Sequence, residues 1–282
     1  MHNELFCYTE YEALQKVIVC SPTFMSTGET KGVPKWETEQ ITIDIDKAMS
    51  QHGEFVKKLK EYEIEVVPLS PQPEFSEGVF TRDVGFILGE KMFISKMAHP
   101  PRFGEEKNLI HLLNDLKIPH QDLNKDHIEG GDVLIDRNWI YIGESNRTHK
   151  AAIEHMRTLL PQFEILALPF SDQFLHLDCV FNIISPTEAL IYPGEFGRDN
   201  EAILATRYDL IEVTQKEQAT LGINVLSIGN RRIISQPINE GVNKQLRARG
   251  YEVIEIDFSE IIKAGGAFRC CSLPLIRKIN DE

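Results

Sequence analysis

Polar residues interrupt the apolar stretches of this chain at an almost constant interval. Asp83, Asp132, Asp178, Asn224 and Cys270 are separated by 49, 46, 46 and 46 positions. A repeat of this length marks one supersecondary unit used over and over, which constrains the fold more than any local propensity. In the first unit an apolar run around Asp83 (80–87) leads to a turn at Gly89-Glu90-Lys91 and a second run, Met92-Phe93-Ile94-Ser95. Leu109, Ile110, Leu112, Leu113 and Leu116 then share one face at helical spacing, and residues 118–123 read as a short closing strand.

The later units repeat this order. Strands are predicted at 131–135, 139–142 and 164–168, around a helix that starts near Thr148 as N-cap and turns Ile153, Met156 and Leu160 inward. The third unit has strands at 176–181, 189–192 and 211–214 and a helix near 202–208. The fourth has strands at 223–226 and 251–256 and a helix over 239–249, stopped by Gly250. Cys270 opens a strand that has no return strand or helix after it. Residues 16–20, a helix near 47–62 and a strand at 64–67 supply those parts from the other end of the chain. Five ββαβ units therefore close into a ring. Equivalent first-strand positions in such a ring face its axis, so the five polar residues are expected to meet there. A buried polar residue needs a partner or a purpose.

Composition narrows the partners. A net charge of -13 repels phosphate backbones, so nucleic acid is not an expected partner, whereas a small cation is welcome. The five cysteines (Cys7, Cys20, Cys179, Cys270, Cys271) include no CxxC pair, which argues against a disulfide scaffold or zinc ribbon. The N-terminus lacks a basic region followed by an apolar run, and no stretch approaches the roughly 18 apolar residues of a membrane span. A cytoplasmic address is expected. There is no phosphate-binding glycine loop and no zinc-ligand spacing, so no cofactor and no metal are expected.

Four motifs, in order along the chain, carry a resemblance: Thr81-Arg82-Asp83, Glu129-Gly130-Gly131-Asp132, His176-Leu177-Asp178, and Gly265-Gly266-Ala267-Phe268-Arg269-Cys270-Cys271-Ser272. Together they resemble the guanidino-group modifying, or pentein, superfamily, which includes arginine deiminase, dimethylarginine dimethylaminohydrolase and the amidinotransferases. The resemblance implies an α/β fold, a five-bladed αβ propeller with pseudo-fivefold symmetry. Residues 1–282 would form one catalytic domain closed by both ends of the chain.

The resemblance also implies roles. Cys270 is the expected nucleophile toward the central carbon of a guanidino group. On a strand its neighbour Cys271 would face the outer layer. His176 is the expected acid and base, protonating the leaving amine and then activating water. Glu129 is expected to hold the histidine's tautomer. Asp83 and Asp178 are expected to clamp the planar guanidinium; Asp132 ranks below them, with a structural role capping its blade as the alternative. Arg147, and as second choice Arg102, are expected at the α-carboxylate of the substrate. The long irregular segment 21–45 is expected to act as a lid.

These features together imply a cysteine-dependent hydrolase of arginine or an Nω-substituted arginine. The compact length resembles the dimethylarginine hydrolases, while His-x-Asp resembles arginine deiminases and amidinotransferases. Transfer of an amidino group to an amine is the alternative. A rival of another class is a binding protein, since the same propeller occurs in a ribosome anti-association factor without a catalytic cysteine. A small guanidino molecule is the expected partner, and a homodimer is allowed but not fixed by the sequence.

Overall fold

A computed structural model describes residues 5–26 and 42–278. The strands and helices alternate as β1 (Ala13–Cys20), α1 (Ile45–Glu61), β2 (Glu65–Leu69), β3 (Gly85–Leu88), β4 (Lys91–Ile94), α2 (Glu106–Asp115) and β5 (His120–Asp122). They continue as β6 (Val133–Asp136), β7 (Trp139–Glu144), α3 (Lys150–Leu159), β8 (Glu164–Pro169), β9 (Phe181–Ile183), β10 (Glu188–Ile191), α4 (Gly197–Ala205) and β11 (Asp209–Glu212). The last are α5 (Gln215–Gln218), β12 (Leu226–Gly229), β13 (Arg232–Ser235), α6 (Glu240–Ala248), β14 (Glu252–Glu255) and β15 (Leu273–Lys278).

These strands form five three-stranded sheets. In each, the first strand pairs antiparallel with the middle strand, and the strand after the helix pairs parallel with it, as β3, β4 and β5 do. The fifth sheet joins both ends of the described chain: β15 pairs antiparallel with β1, Val17 opposite Pro274, and β2 pairs parallel with β1. A parallel return needs a crossover, and the amphipathic helix supplies it. In α1, Ala48, Phe55 and Leu59 are fully buried and the Asp44 side chain caps the first turn by accepting from Lys47 N. Burying one such aromatic contributes about 1.5–3 kcal/mol.

Ring closure is visible in the core. Five apolar clusters each bridge two neighbouring sheets: Ile18 with Ile94, Phe93 with Val133, Leu134 with Phe181, Leu190 with Ile233, and Ile234 with Val17. Following them returns to the starting sheet, so no sheet is terminal. The segment before β1 bridges three of the sheets, Phe6 to Ile276, Cys7 to Gly89 and Thr9 to Asp136. No helix among the described residues is long and apolar enough to cross a membrane.

Two expectations are corrected. The polar repeat positions do not lie on strands. Asp83 and Cys270 sit in turns, Asp132 and Asp178 in single 3-10 turns, and Asn224 in irregular chain, each just before the first strand of its sheet. The turns' backbone N–H groups are used within the fold, as Asp83 N–H to Phe80 O and Cys270 N–H to Asn224 Oδ1. His149, not Thr148, is the N-cap of α3; the Thr148 hydroxyl instead accepts from the Glu129 backbone N–H. Of the segment 21–45, residues 27–41 lie outside the described residues, and the expected lid lies largely with them.

Candidate active site

The turn before β15 places the Cys270 sulfur in a small pocket. Its wall also includes Phe80, Asp83, Arg102, Arg147, His176 and Gly266. Cys270 is 3% exposed and lines this pocket. Cys271, adjacent in the same turn, is fully buried and does not line it. The separation of the two thiols thus comes from a turn, not from strand alternation. Asn224 Nδ2 lies 3.2 Å from the Cys270 sulfur, and Asn224 Oδ1 accepts from the Cys270 N–H. Both Asp178 carboxylate oxygens are 3.8 Å from that sulfur. Burial first, then Asp178 and Asp83, push the thiol's pKa well above its ordinary value. These effects favour the S–H form, and a bound cation would favour the thiolate.

His176 precedes a 3-10 turn and packs on Gly131. A Cβ at Gly131 would stand 2.6 Å from the His176 ring and 2.8 Å from Asp83 Oδ1. The Gly-Gly pair is thus a close approach of backbone to imidazole rather than an ordinary turn. His176 Nε2 lies 2.8 Å from Glu129 Oε2, and Nδ1 lies 3.6 Å from Asp83 Oδ1. Burial disfavours the imidazolium, but Asp83, Glu129 and Asp132 outweigh it and raise its pKa to about 10. The ring therefore carries a proton it can give away. Burial likewise works against the Glu129 charge, yet the His176 hydrogen bond holds that carboxyl at about 2. The second oxygen of Glu129 accepts from Ala98 N–H at 2.8 Å.

Asp83 Oδ2 accepts from Arg102 Nη1 at 2.6 Å, while Oδ1 is buried without a hydrogen bond. That oxygen is a free acceptor beside the sulfur's pocket. Asp178 is fully buried; burial raises its pKa and Arg269, whose Nε is 3.2 Å away, works against the rise. Arg147 lies 3.4 Å from Glu129, is 15% exposed, and lines both the small pocket and a wider outer cleft of about 340 Å³. That cleft is also walled by Ala98, Asp172, Gln173 and Phe174.

Arg102, expected at a substrate carboxylate, lines the small pocket and is also gripped by acids: Asp83, Glu105 at 2.5 Å and Glu77 at 3.5 Å. Its Nη2 has no hydrogen-bond partner among the described residues. Asp132 does not line the pocket. Its Oδ1 accepts from Leu177 N–H and its Oδ2 from the Ser145 hydroxyl, each at 2.8 Å. It anchors the turn that carries His176, and burial lifts its pKa to about 7. Asn224 was legible only through the repeat interval. Among the described residues no group of three or more His, Cys, Asp or Glu could hold a metal.

The arrangement offers a thiol, a protonated imidazole on the same pocket wall, and buried carboxylates facing a small cavity. That set suits addition of sulfur to a planar cationic carbon, with a proton ready for the departing nitrogen. The family model described as N,N dimethylarginine dimethylhydrolase, eukaryotic, matches residues 29–277. The uncharacterized protein YkgA of Bacillus subtilis (strain 168) is 48% identical over 98% of this chain and 96% of its own length. The bifunctional arginine dihydrolase/ornithine cyclodeaminase AgrE of Nostoc sp. (strain PCC 7120 / SAG 25.82 / UTEX 2576) is 28% identical over 84% of this chain. The chain spans only 34% of that relative's length. The N-terminal domain of cyanobacterial ArgZ, covalently bound to a reaction intermediate, superposes with a TM-score of 0.84 at 25% identity, covering 93% of this chain and 98% of that one. Dimethylarginine hydrolase from Pseudomonas aeruginosa, complexed with citrulline, shares the fold at a TM-score of 0.80 and 20% identity, covering 93% of this chain and 99% of that one.

Proposed function

Because the chain belongs to the N,N-dimethylarginine dimethylhydrolase family, within the guanidino-modifying superfamily, we propose that it is a cysteine-dependent hydrolase of arginine or an Nω-substituted arginine. The observation that carries this reading is the shared pocket of Cys270, His176 and Asp83, with Asp178 3.8 Å from the sulfur. The guanidinium enters with its N–H groups toward Asp83 Oδ1 and Asp178. Its charge lowers the thiol pKa, and the thiol proton leaves to solvent. The thiolate adds to the central carbon. His176 donates its proton to one nitrogen, the C–N bond breaks, and ammonia or an amine departs. A thiouronium remains on sulfur. The neutral imidazole then takes a proton from water, and the hydroxide adds to the same carbon. Collapse of that adduct expels the thiolate and leaves a ureido product, citrulline for an arginine-type substrate. General acid–base assistance of this kind is worth on the order of 10²–10⁴-fold.

In this reading Arg147 takes the α-carboxylate in the outer cleft, and Glu129 holds the imidazole in place. All five cysteines are free, in keeping with the proposed cytoplasmic address. Amidino transfer is the second reading. The outer cleft of about 340 Å³ could admit an amine acceptor in place of water. The deciding experiment measures citrulline together with ammonia, methylamine or dimethylamine across arginine and its Nω-methylated forms, with Cys270→Ser as control. Hydrolysis predicts equimolar release without an acceptor. Turnover that appears only when glycine or ornithine is added would indicate transfer, and none under either condition would indicate a binding protein.

A further inference from the structure

Glu10 has no place in any motif, yet its carboxylate is buried and tied to the arginine next to Cys270 in the chain. The segment before β1 crosses three sheets and turns this carboxylate inward, where it is 5% exposed. Three buried guanidinium groups, Arg82, Arg269 and Arg277, surround it and hold its pKa down at about 2 against the effect of burial. Oε1 accepts from Ile135 N–H at 3.2 Å. Oε2 pairs with Arg269 Nη1 and lies 3.7 Å from Arg82 Nη2. Arg269 is fixed at a second point, donating from Nη2 to Val133 O at 3.0 Å. Its Nε then lies 3.2 Å from Asp178 Oδ2, and Asp178 lies 3.8 Å from the Cys270 sulfur.

We propose that Glu10 is a positioning residue for the reaction, acting through Arg269 to keep Asp178 available to the substrate guanidinium. The inference rests on the reading of Asp178 as a guanidinium clamp. Arg269 is a cation shared between two carboxylates. Glu10 takes one edge of the fork, and the contact left to Asp178 is a charge contact through Nε without hydrogen-bond alignment. Asp178 is therefore not sequestered by a hydrogen bond from Arg269 Nε. Without the Glu10 charge, Asp178 becomes the sole carboxylate touching Arg269, and substrate must compete with an internal guanidinium for it. The same change leaves the Arg269 charge to act on Asp178 alone, the carboxylate that most raises the Cys270 thiol. The charged and titratable groups around that sulfur are Asp178, Asp83, His176, Cys179, Cys271 and, through Asp178, Arg269.

The test uses the full chain with Glu10→Gln, which keeps the shape and removes the charge. The first readout is KM and kcat for whichever guanidino compound the wild type turns over, corrected for the fraction of reactive Cys270. The second is the pH dependence of Cys270 alkylation by iodoacetamide, which needs no substrate. The expected result is a rise in KM of about tenfold or more, a smaller change in kcat, and an alkylation profile displaced to lower pH. A lower melting temperature with KM and the alkylation profile unchanged would make Glu10 purely structural and overturn the proposal. Should Glu10→Gln not fold, Glu10→Asp keeps the charge but withdraws it by one methylene. A raised KM with an unmoved alkylation profile then supports the relay, and an unchanged KM overturns it. If the wild type turns over no guanidino compound, the hydrolase reading fails on its own. The alkylation profile of Glu10→Gln still judges the coupling between Glu10 and the thiol.

Discussion

The Nε2 atom of His176 lies 2.8 Å from Oε2 of Glu129, with both side chains almost wholly buried. The pair is an imidazolium–carboxylate contact, and it sets the pH range in which a proton can be delivered. The His176 pKa in the folded protein, about 10, lies above its ordinary 6.5. The stability it contributes is therefore fully present below about pH 6.5 and is lost as pH rises through about 10. Proton donation to the leaving group fades over the same alkaline limb. Glu129→Gln removes the charge and is expected to move the alkaline limb of the kcat profile to lower pH. A kcat–pH series on both proteins checks this, and an unmoved limb would detach Glu129 from the titration of His176.

Gly131 has no room for a side chain. Gly131→Ala places a methyl 2.6 Å from the His176 ring. Overpacking of this kind costs about 1–3 kcal/mol. The displaced imidazole should also lower kcat at least tenfold. Urea unfolding and steady-state kinetics together read the two effects, and a stable variant of normal activity would refute the close approach.

Arg102 is 3% exposed and is held by Asp83, Glu105 and Glu77. Removing one partner of a buried ionic cluster leaves uncompensated charge and typically costs about 3–5 kcal/mol. Arg102→Ala is therefore expected to lower the denaturant midpoint sharply. Arg102→Lys, lacking the planar fork, should recover only part of the loss. A midpoint equal to the wild type's would mean that Arg102 is not a structural cation.

Arg147 differs from Arg102 in lining the outer cleft and, among the described residues, forming an ion pair with one acid, Glu129, at 3.4 Å. Arg147→Ala is expected to raise KM for arginine-type substrates about 10–100-fold, the worth of one charge-assisted hydrogen bond. Decarboxylated arginine should show little change in KM. Equal effects on both compounds would show that Arg147 does not read the carboxylate.

Much of this was legible from the chain. The interval between Asp83, Asp132, Asp178, Asn224 and Cys270 carried the ring, because a circular array imposes one spacing on equivalent positions. The element boundaries at those positions were not legible. Propensity sees apolar residues around Asp178 or Cys270 and assigns strand, whereas tertiary packing holds a turn there. Asp132 carried the right spacing and two readings, substrate contact or blade cap, since spacing does not reveal which way a carboxylate's oxygens are satisfied. The ion pairs of Arg102 were hidden for a related reason. An arginine in a loop is usually a surface charge or a ligand for anions, and the acids that grip it lie at Glu77, Asp83 and Glu105. Glu10 left no signal at all. A single acid in a short N-terminal stretch becomes informative only when the three arginines around it are seen together.

The central claim is a covalent bond between the Cys270 sulfur and the guanidino carbon of the substrate. Acid quenching during turnover, followed by intact-protein mass and peptide mapping, tests it directly. The account predicts a thiouronium adduct on the peptide containing Cys270, absent in Cys270→Ser, whose turnover is abolished. An adduct on Cys271 or another thiol, or turnover that survives Cys270→Ser, would contradict it.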